Sequence, residues 1–309
     1  MRNEGKVQDL NLNRILGKYP SSPIKGPTLL VSAGVHGNEP SGVLALKRVF
    51  KKLEQEKPQF KGQIIGVSGN LEALKNQVRL VDRDLNRVCT PDNASKIEMG
   101  EELSFHEAKE FKELLKVIQE IEENPNSTRL FFMDLHTTSS PTVPYISVNK
   151  GEESYGFAMK FPLPVAKGIE KYIPGHFDHY LTLLGHVGFT VEAGQHEAPE
   201  SVDYHEAMVI VGLVNSGLVE KSDIRDYDHY YNRLKETFGG EEGYEVVYRH
   251  HIDEGDLFKM EPGYSNFKEV KKGELLAHSN NEQVFAPMDG RIFLPLYQSQ
   301  GSDGFFIVQ

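Results

Sequence analysis

Apolar residues follow two distinct patterns over the first two thirds of the chain. Short continuous apolar runs at 28–33, 63–68, 130–135 and 187–192 are typical of buried strands. Between them, apolar residues recur at three- to four-residue spacing over 40–56, 104–123 and 201–219, which predicts helices. Strands that alternate with helices favour a mostly parallel or mixed sheet flanked by helices on both faces. The pattern therefore predicts an α/β fold.

Two details of this pattern concern boundaries. Ser104 and Glu107 have the spacing of a capping box, so we expect them to begin the helix over 104–123. Residues 221–243 are polar and end in a glycine-rich stretch, and short β-like segments follow at 246–248, 275–277, 284–287 and 291–294. We interpret 1–225 as a catalytic domain and 226–309 as a linker with a small β-rich carboxyl-terminal domain. That domain would be structural or a lid, with Tyr297 and Asp303 as possible substrate contacts.

Two histidines and one glutamate lie where predicted strands end. His36 and Glu39 follow the run at 28–33, and His136 ends the run at 130–135. Open α/β sheets bind ligands at the carboxyl ends of their strands. Zinc in a hydrolase takes three ligands from His, Asp and Glu and keeps a fourth position open. The placement therefore favours these three residues as a zinc site.

Spacing alone does not establish this site. The chain has 12 histidines and 45 acidic residues, so about two His-x-x-acid pairs are expected by chance, and His250 has this spacing as well as His36. His176 and His179 form a rival ligand pair. The strand-end position of His36, and the helix that is predicted to start near Pro40, distinguish it from the alternatives.

Two further segments carry chemistry that a zinc hydrolase needs. In the charged run from Arg79 to Arg87, the amide of Asn86 and the guanidinium of Arg87 suit a carboxylate that is held by two hydrogen bonds, and Arg79 suits an oxyanion. Glu192 ends the run at 187–192 between small residues, where a carboxylate can serve as a general acid–base. The alternatives are a solvated charged loop and a solvent-facing acid.

Composition narrows the class of protein. The formal net charge of −11, without a basic cluster, argues against nucleic-acid and anionic-membrane partners. The single cysteine, Cys89, excludes an intrachain disulfide and a cysteine-based zinc site, and we interpret it as a loop or core residue. No Gly-x-Ser-x-Gly segment supports a serine hydrolase. The first nine residues lack the apolar segment of a signal peptide, and no apolar run approaches a membrane span. We expect a soluble cytoplasmic protein.

The chain resembles the succinylglutamate desuccinylase/aspartoacylase family of the zinc carboxypeptidase clan. The resemblance covers roughly residues 25–215 and rests on motifs in the family's order and approximate spacing: His36-Gly-Asn-Glu39, Arg79, Asp84-Leu-Asn-Arg87, Asp134-Leu-His136 and Val191-Glu192. It implies a zinc-carboxypeptidase-like fold and hydrolysis of a small N-acyl amino acid. The implied roles are one Zn²⁺ per chain on His36, Glu39 and His136, a polarising Arg79, a carboxylate clamp of Asn86 and Arg87, and Glu192 as general base and then acid.

One departure from the family concerns specificity. Aspartoacylase-like members have another arginine about ten residues before the catalytic glutamate, where this chain has Thr182. We therefore expect an amino acid other than aspartate, with contacts considered from Lys171, His176 or His179, or from Arg291 should aspartate be preferred. Two other functions remain open: a metallocarboxypeptidase that cleaves short peptides, and a catalytically silent carboxylate-binding module. The sequence does not indicate an oligomeric state.

Overall fold

The computed structural model describes residues 12–238, 243–298 and 301–309. The first nine residues, on which our expectation of no signal peptide rests, lie outside the described residues. The same holds for 239–242, most of the glycine-rich stretch that we predicted as a boundary.

Strands and helices are interspersed up to about residue 215. The strands are β1 (Ile15–Tyr19), β2 (Gly26–Ala33), β3 (Gln63–Ser68), β4 (Ser127–Thr138), β5 (Tyr145–Val148), β6 (Val165–Lys167), β7 (Val187–Gln195), β8 (Gly243–His251), β9 (Phe258–Met260), β10 (Glu269–Val270), β11 (Leu275–Ser279), β12 (Glu282–Phe285), β13 (Gly290–Phe293) and β14 (Asp303–Val308). The helices are α1 (Ser41–Glu56), α2 (Leu71–Asn76), α3 (Leu85–Val88), α4 (Pro91–Glu98), α5 (Glu107–Glu122), α6 (Glu152–Ala158), α7 (Phe177–Leu183), α8 (Glu200–Asn215) and α9 (Tyr227–Lys235). The predicted strands and helices are therefore confirmed.

Eleven of the described strands form one mixed sheet in the order β1-β3-β2-β4-β7-β5-β6-β8-β14-β13-β10. Its centre, β3-β2-β4-β7, is parallel, and β5 pairs antiparallel with β7. The parallel centre brings the carboxyl ends of β2, β4 and β7 to one edge, which is where the sequence places its candidate ligands. The predicted mixed α/β class is confirmed.

Helices cover both faces of this sheet. Alternate residues of each strand face opposite sides, so Leu29 and Met133 pack with α1 and α8, whereas Leu30 and Phe132 pack with α5 and α7. Along β4, the residues that follow Phe132 on its face are Asp134 and His136. The polar site thus forms on the α5 and α7 side, where the apolar packing ends.

The predicted capping box at Ser104 and Glu107 is wrong. The first helical residue of α5 is Glu107, and no side-chain cap precedes it. The Glu107 carboxylate instead accepts hydrogen bonds from the backbone N–H groups of Val81, Asp82 and Arg83 at 2.8–3.3 Å. Because these donors lie in the loop that follows Arg79, the buried carboxylate fixes that loop.

The carboxyl-terminal part is small and β-rich, as the sequence predicts, and its described strands pair antiparallel with one another. Its strand β8 pairs in parallel with β6, so β8, β14, β13 and β10 extend the main sheet, while β9, β11 and β12 form a separate three-stranded sheet. The polar stretch after residue 221, for which we predicted no helix, contains α9. This helix buries Tyr227 and Leu234 against the core.

Candidate active site

Three buried side chains meet at the carboxyl ends of β2 and β4. The Nδ1 atoms of His36 and His136 lie 2.8 Å and 3.1 Å from the two carboxylate oxygens of Glu39. Candidate ligand atoms of all three residues lie within 4.8 Å of one another, the only such group of three or more in the described part of the chain. Two imidazole nitrogens and a carboxylate oxygen are the donor set of an open zinc site. The residues therefore fit the metal that the sequence predicts.

The turn from His36 to Glu39 is held by close backbone packing. A Cβ on Gly37 would lie 2.1 Å from the carbonyl carbon of Ala73, so only glycine fits there. The N–H of Gly37 donates to the carbonyl of Arg79 at 3.2 Å. This turn therefore places the two ligands and the Arg79 segment together.

Carboxylates orient both imidazole rings. His36 Nε2 lies 3.0 Å from Asp84 Oδ1, and His136 Nε2 lies 3.0 Å from Asp134 Oδ2. The hydroxyl of Ser32 donates to the second oxygen of Asp134 at 2.6 Å. A carboxylate that accepts the Nε2–H leaves Nδ1 unprotonated and able to bind a metal ion. Asp84 and Asp134 thus orient the two candidate ligands.

The ionisation of the site follows from these contacts. Burial alone would raise the pKa of Glu39, but His36 and His136 beside it hold that pKa well below its ordinary value. Burial would likewise lower the pKa of His136, but Asp134 and Glu39 raise it well above its usual range. The buried carboxylates of this site therefore favour a positively charged group between them.

Arg79 and Asn86 border the three ligands. Arg79 Nη1 lies 3.7 Å from Glu39 Oε1, and its Nη2 donates to Asp84 at 3.1 Å. The Asn86 amide nitrogen lies 3.3 Å from His136 Nε2, and its oxygen accepts the N–H of Phe177 at 3.0 Å. Both predicted site residues thus lie beside the three candidate ligands.

Arg87 is held from two sides. Its Nη1 donates to the carbonyl of Asn86 at 2.9 Å, and its Nη2 donates to Asp303 at 3.2 Å. Arg249 Nε donates to the other oxygen of Asp303 at 2.6 Å. Asp303, at the start of β14, therefore connects the carboxyl-terminal part to the predicted clamp, and the remaining N–H groups of Arg87 stay available.

Glu192 lies beside the ligands with an unused oxygen. On β7 it is opposite His136 of β4 and Tyr145 of β5. Its Oε2 is buried and has no hydrogen-bond partner among the described residues. Burial, opposed by His136 and reinforced by Glu39, raises the pKa of the Glu192 carboxyl to about 8. The group is therefore poised to exchange a proton.

These residues share one cavity of about 500 Å³. Six of the seven predicted site residues line it: His36, Arg79, Asn86, Arg87, His136 and Glu192. The seventh, Glu39, is 2% exposed. Asp303 also lines the cavity, together with residues of the segment 294–298. Tyr297 does not; its hydroxyl donates to the carbonyl of Glu261.

A family model described as the succinylglutamate desuccinylase/aspartoacylase catalytic domain matches residues 25–210. The chain belongs to this family. The match includes all seven predicted site residues and ends within α8. The part of this desuccinylase/aspartoacylase family member that follows α8, including Asp303, lies outside the match.

Relatives in the family align over different lengths. The chain is 33% identical to a succinylglutamate desuccinylase of Pseudomonas paraeruginosa over 112 residues, which are 36% of this chain and 31% of the relative. It is 22% identical to one of Pseudoalteromonas atlantica over 280 residues, 85% of this chain and 75% of the relative. The chain thus spans about a third of the length of the first of these curated relatives.

Solved structures of the family have the same fold. A succinylglutamate desuccinylase/aspartoacylase from Rhodobacter sphaeroides superimposes with a TM-score of 0.66 at 18% identity, over 93% of this chain and 86% of that one. The product-bound ectoine utilization protein EutE (DoeB) from Ruegeria pomeroyi gives 0.64 at 18% identity, over 92% and 84%. At these identities the likeness shows the fold alone.

Tyr145 is a cavity residue of this family member that was not predicted from the sequence. Tyr145 is fully buried and lines the cavity, and its hydroxyl has no hydrogen-bond partner in the described part of the chain. Burial, followed by the charges of Glu192 and Glu39, raises the pKa of its phenol well above the ordinary value. Tyr145 is therefore a protonated donor next to Glu192. No local signal marks it, because its position depends on the pairing of β5 with β7.

Only one of the side chains considered for a second substrate carboxylate lines the cavity, namely His176. Lys171 forms an ion pair with Glu245 at 2.6 Å, and Arg291 forms one with Glu269 at 3.1 Å. The residues that do not line the cavity are Lys171, His179, Thr182 and Arg291. The rival pair His176 and His179 belongs to no group of three possible ligands among the described residues.

Cys89 is a buried thiol. Its Sγ donates to the carbonyl of Leu85 at 3.2 Å. Burial, and to a smaller extent the nearby carboxylates, raise the pKa of the thiol well above its ordinary value. A protonated, buried thiol is a poor nucleophile, which supports the interpretation of Cys89 as a core residue.

Proposed function

We propose that the protein is a zinc-dependent amidohydrolase that removes the acyl group from an N-acyl amino acid, with one Zn²⁺ per chain on His36, Glu39 and His136. The observation that carries this proposal is the convergence of these three donors beside the unpartnered oxygen of Glu192. Bound zinc supplies Lewis acidity toward water and an amide carbonyl. Membership of the desuccinylase/aspartoacylase family supports the same chemistry.

Glu192 moves the proton in this reaction. Its carboxylate accepts a proton from the attacking water and returns it to the leaving amine, while the amide C–N bond breaks. The pKa of about 8 is an effect of burial, so positive charge at the neighbouring ligands favours the carboxylate form. Arg79, which borders Glu39, donates to the oxygen on which negative charge develops.

Asn86 and Arg87 bind the carboxylate of the amino-acid part. The guanidinium has five N–H donors, of which one contacts Asn86 and another Asp303, so others are available to the substrate. Asp303 fixes the direction of the guanidinium. The clamp therefore needs both the catalytic part and β14.

We propose residues 1–225 as the catalytic domain and 226–309 as a linker with a small β-rich domain that closes one side of the cavity. The substrate is a small molecule and the location is cytoplasmic. No helix within the described residues combines the length and the apolar character that a bilayer crossing requires.

The proposal is tested by metal analysis together with a substrate screen. The purified protein should contain about one zinc per chain, and it should hydrolyse at least one member of a panel of N-acetyl and N-succinyl amino acids. Preferential cleavage of short peptides would establish the metallocarboxypeptidase instead. Bound zinc with neither activity would leave the silent binding module.

Arg87→Lys should weaken substrate binding more than turnover. Lysine keeps the charge but loses the planar fork, so we expect KM to rise by about tenfold or more while kcat changes little. Steady-state kinetics on the best substrate measure both constants. Arg129→Lys, on the exposed start of β4, is the matched control. A fall in kcat at unchanged KM would place Arg87 in the chemical step instead.

Tyr145→Phe should lower kcat/KM and leave the fold intact. The hydroxyl has no partner to lose among the described residues, so the melting temperature should stay within the error of the measurement. Loss of a hydrogen bond to a charged or developing oxyanion should reduce kcat/KM by about 10- to 100-fold. Tyr248→Phe, outside the cavity, is the control. Destabilisation with unchanged kinetics would show a purely structural role.

A further inference from the structure

The cavity has a second polar row beyond the catalytic one. Across β4, β7 and β5, the first row is His136, Glu192 and Tyr145. The second row, on the same face, is Asp134 and Thr190, two residues earlier on the parallel strands β4 and β7, and Ser147, two residues later on the antiparallel strand β5. Thr190 and Ser147 line the cavity. Because residues two apart on a strand are separated by about 7 Å, this second row lies one side-chain length from the chemistry.

Asp178 of α7 lies over the second row. Its side chain is almost fully buried and lines the cavity. Asn149 donates to its Oδ2 at 2.8 Å, the backbone N–H of His179 lies 2.7 Å from its Oδ1, and the Thr190 side chain is a further hydrogen-bond partner. All of these partners are neutral. They hold the carboxylate in place without balancing its charge.

The two arginines that line the cavity form ion pairs with acids other than Asp178. Arg79 pairs with Asp84, and Arg87 pairs with Asp303. The nearest ionisable nitrogen to Asp178 that could form an ion pair is Nδ1 of His176, at 3.9 Å. Burial and the charge of Arg87 hold the pKa of His176 well below its usual value, so this ring is neutral. Among the described residues, Asp178 is thus a buried acid that forms no ion pair with a lysine or arginine, although the charge of His136 acts on it from a greater distance.

Burial is the main cause that raises the pKa of Asp178, to about 6, and the charge of Asp134 adds to it. A cation that enters the cavity would stabilise the ionised form of this buried carboxylate. The ion pair would replace the charge stabilisation by water that burial removed. A second carboxylate at the same place would be repelled. The subsite therefore selects for positive charge and against an acidic side chain.

We propose that Asp178 recognises an ammonium group on the side chain of the substrate's amino-acid part, so that the preferred substrates are N-acyl derivatives of diamino acids. This inference rests on the proposed function. Ile169 and Ile173 line the same cavity and offer an apolar wall for the methylenes of such a side chain. Asn86 and Arg87 hold the α-carboxylate while Asp178 binds the far end. The two contacts set the length of the substrate.

The decisive comparison uses matched substrates. With the zinc-loaded wild-type protein, kcat/KM for Nα-acetylornithine or Nα-acetyllysine should exceed that for the uncharged Nα-acetylnorvaline or Nα-acetylnorleucine by about tenfold or more. Asp178→Asn keeps the shape and removes the charge. It should abolish this preference through KM while leaving the uncharged substrates within about threefold of wild type. Asp92→Asn, on the exposed surface of α4, controls for the loss of one negative charge.

Equal activity of the wild-type protein on charged and uncharged substrates would overturn the assignment, as would equal losses on both in Asp178→Asn. Calorimetric binding of ornithine and norvaline, the product amino acids, separates this inference from the proposed function. Ornithine should bind more tightly than norvaline to wild type and not to Asp178→Asn. That result without hydrolysis of any acyl amino acid would refute the proposed activity and retain the subsite. Hydrolysis of an acyl amino acid without tighter binding of ornithine would retain the proposed activity and refute the subsite.

Discussion

His136→Ala should contain no bound zinc and should lose more than about 10³-fold in hydrolytic rate. Removal of a single oxyanion donor costs about 10²–10³ in an enzyme, and this variant loses the whole metal centre. The physical reason is the small donor set, because two ligands cannot hold the ion in an open site. Metal content after dialysis and hydrolysis of the best acyl amino acid measure the two effects.

The same substitution should also reduce stability. His136 is the partner of two buried carboxylates, Glu39 and Asp134, at 3.1 Å and 3.0 Å. Leaving them without this partner should cost about 1–3 kcal/mol, which denaturant unfolding measures. Circular dichroism should still show the native fold. His179→Ala is the matched control, and zinc binding that survives in His136→Ala but not in the control would refute the ligand assignment.

The ligand set could be found from the sequence because its members lie at strand ends. Continuous apolar runs give the positions of β2 and β4, and parallel strands bring His36 and His136 to one edge of the sheet. The position of Asp134 on the same face as His136 could also be predicted, because it precedes His136 by two residues and a strand has a period of two. The contact of Asp84 with His36 could not be predicted, because it depends on how the loop before α3 folds back onto His36.

Residues that depend on distant pairing could not be predicted. Tyr145 reaches Glu192 because β5 lies antiparallel beside β7, and no local pattern specifies that register. Asp178 faces the second row only through the packing of α7. Glu107 has a capping-box spacing, but its carboxylate forms more hydrogen bonds with the loop at 81–83 than a cap would offer. Tertiary contacts override local preference in each case.

The placement of the carboxyl-terminal part also depends on strand pairing that the sequence does not specify. Short runs with turn residues predict β structure there, and that prediction is confirmed. Its place in the molecule follows from the pairing of Val165 with Gly243, between strands separated by a long stretch of chain. This pairing extends the main sheet and brings Asp303 to Arg87. Asp303, which we predicted as a possible substrate contact, thus forms an ion pair with Arg87 of the proposed clamp.

Glu192→Gln should lower kcat by about 10²–10⁴-fold and leave zinc bound. Glutamine has nearly the same shape, but its amide cannot accept the proton of water. Since Oε2 has no hydrogen-bond partner among the described residues, a lost structural contact would not explain the effect. Burial disfavours the charged carboxyl, as its raised pKa shows, so the melting temperature should be unchanged or higher.

Kinetics, metal content and thermal unfolding of the same preparation test all three parts of this prediction. Glu98→Gln, exposed at the end of α4, provides the same chemical change away from the cavity and should behave as wild type. Near-normal turnover of Glu192→Gln on the best substrate would refute the general-base role. Loss of zinc would instead make Glu192 part of the metal site, and a combined loss of zinc and stability would make it structural. A slow, stable, zinc-loaded Glu192→Gln protein is the result that only proton transfer by Glu192 explains.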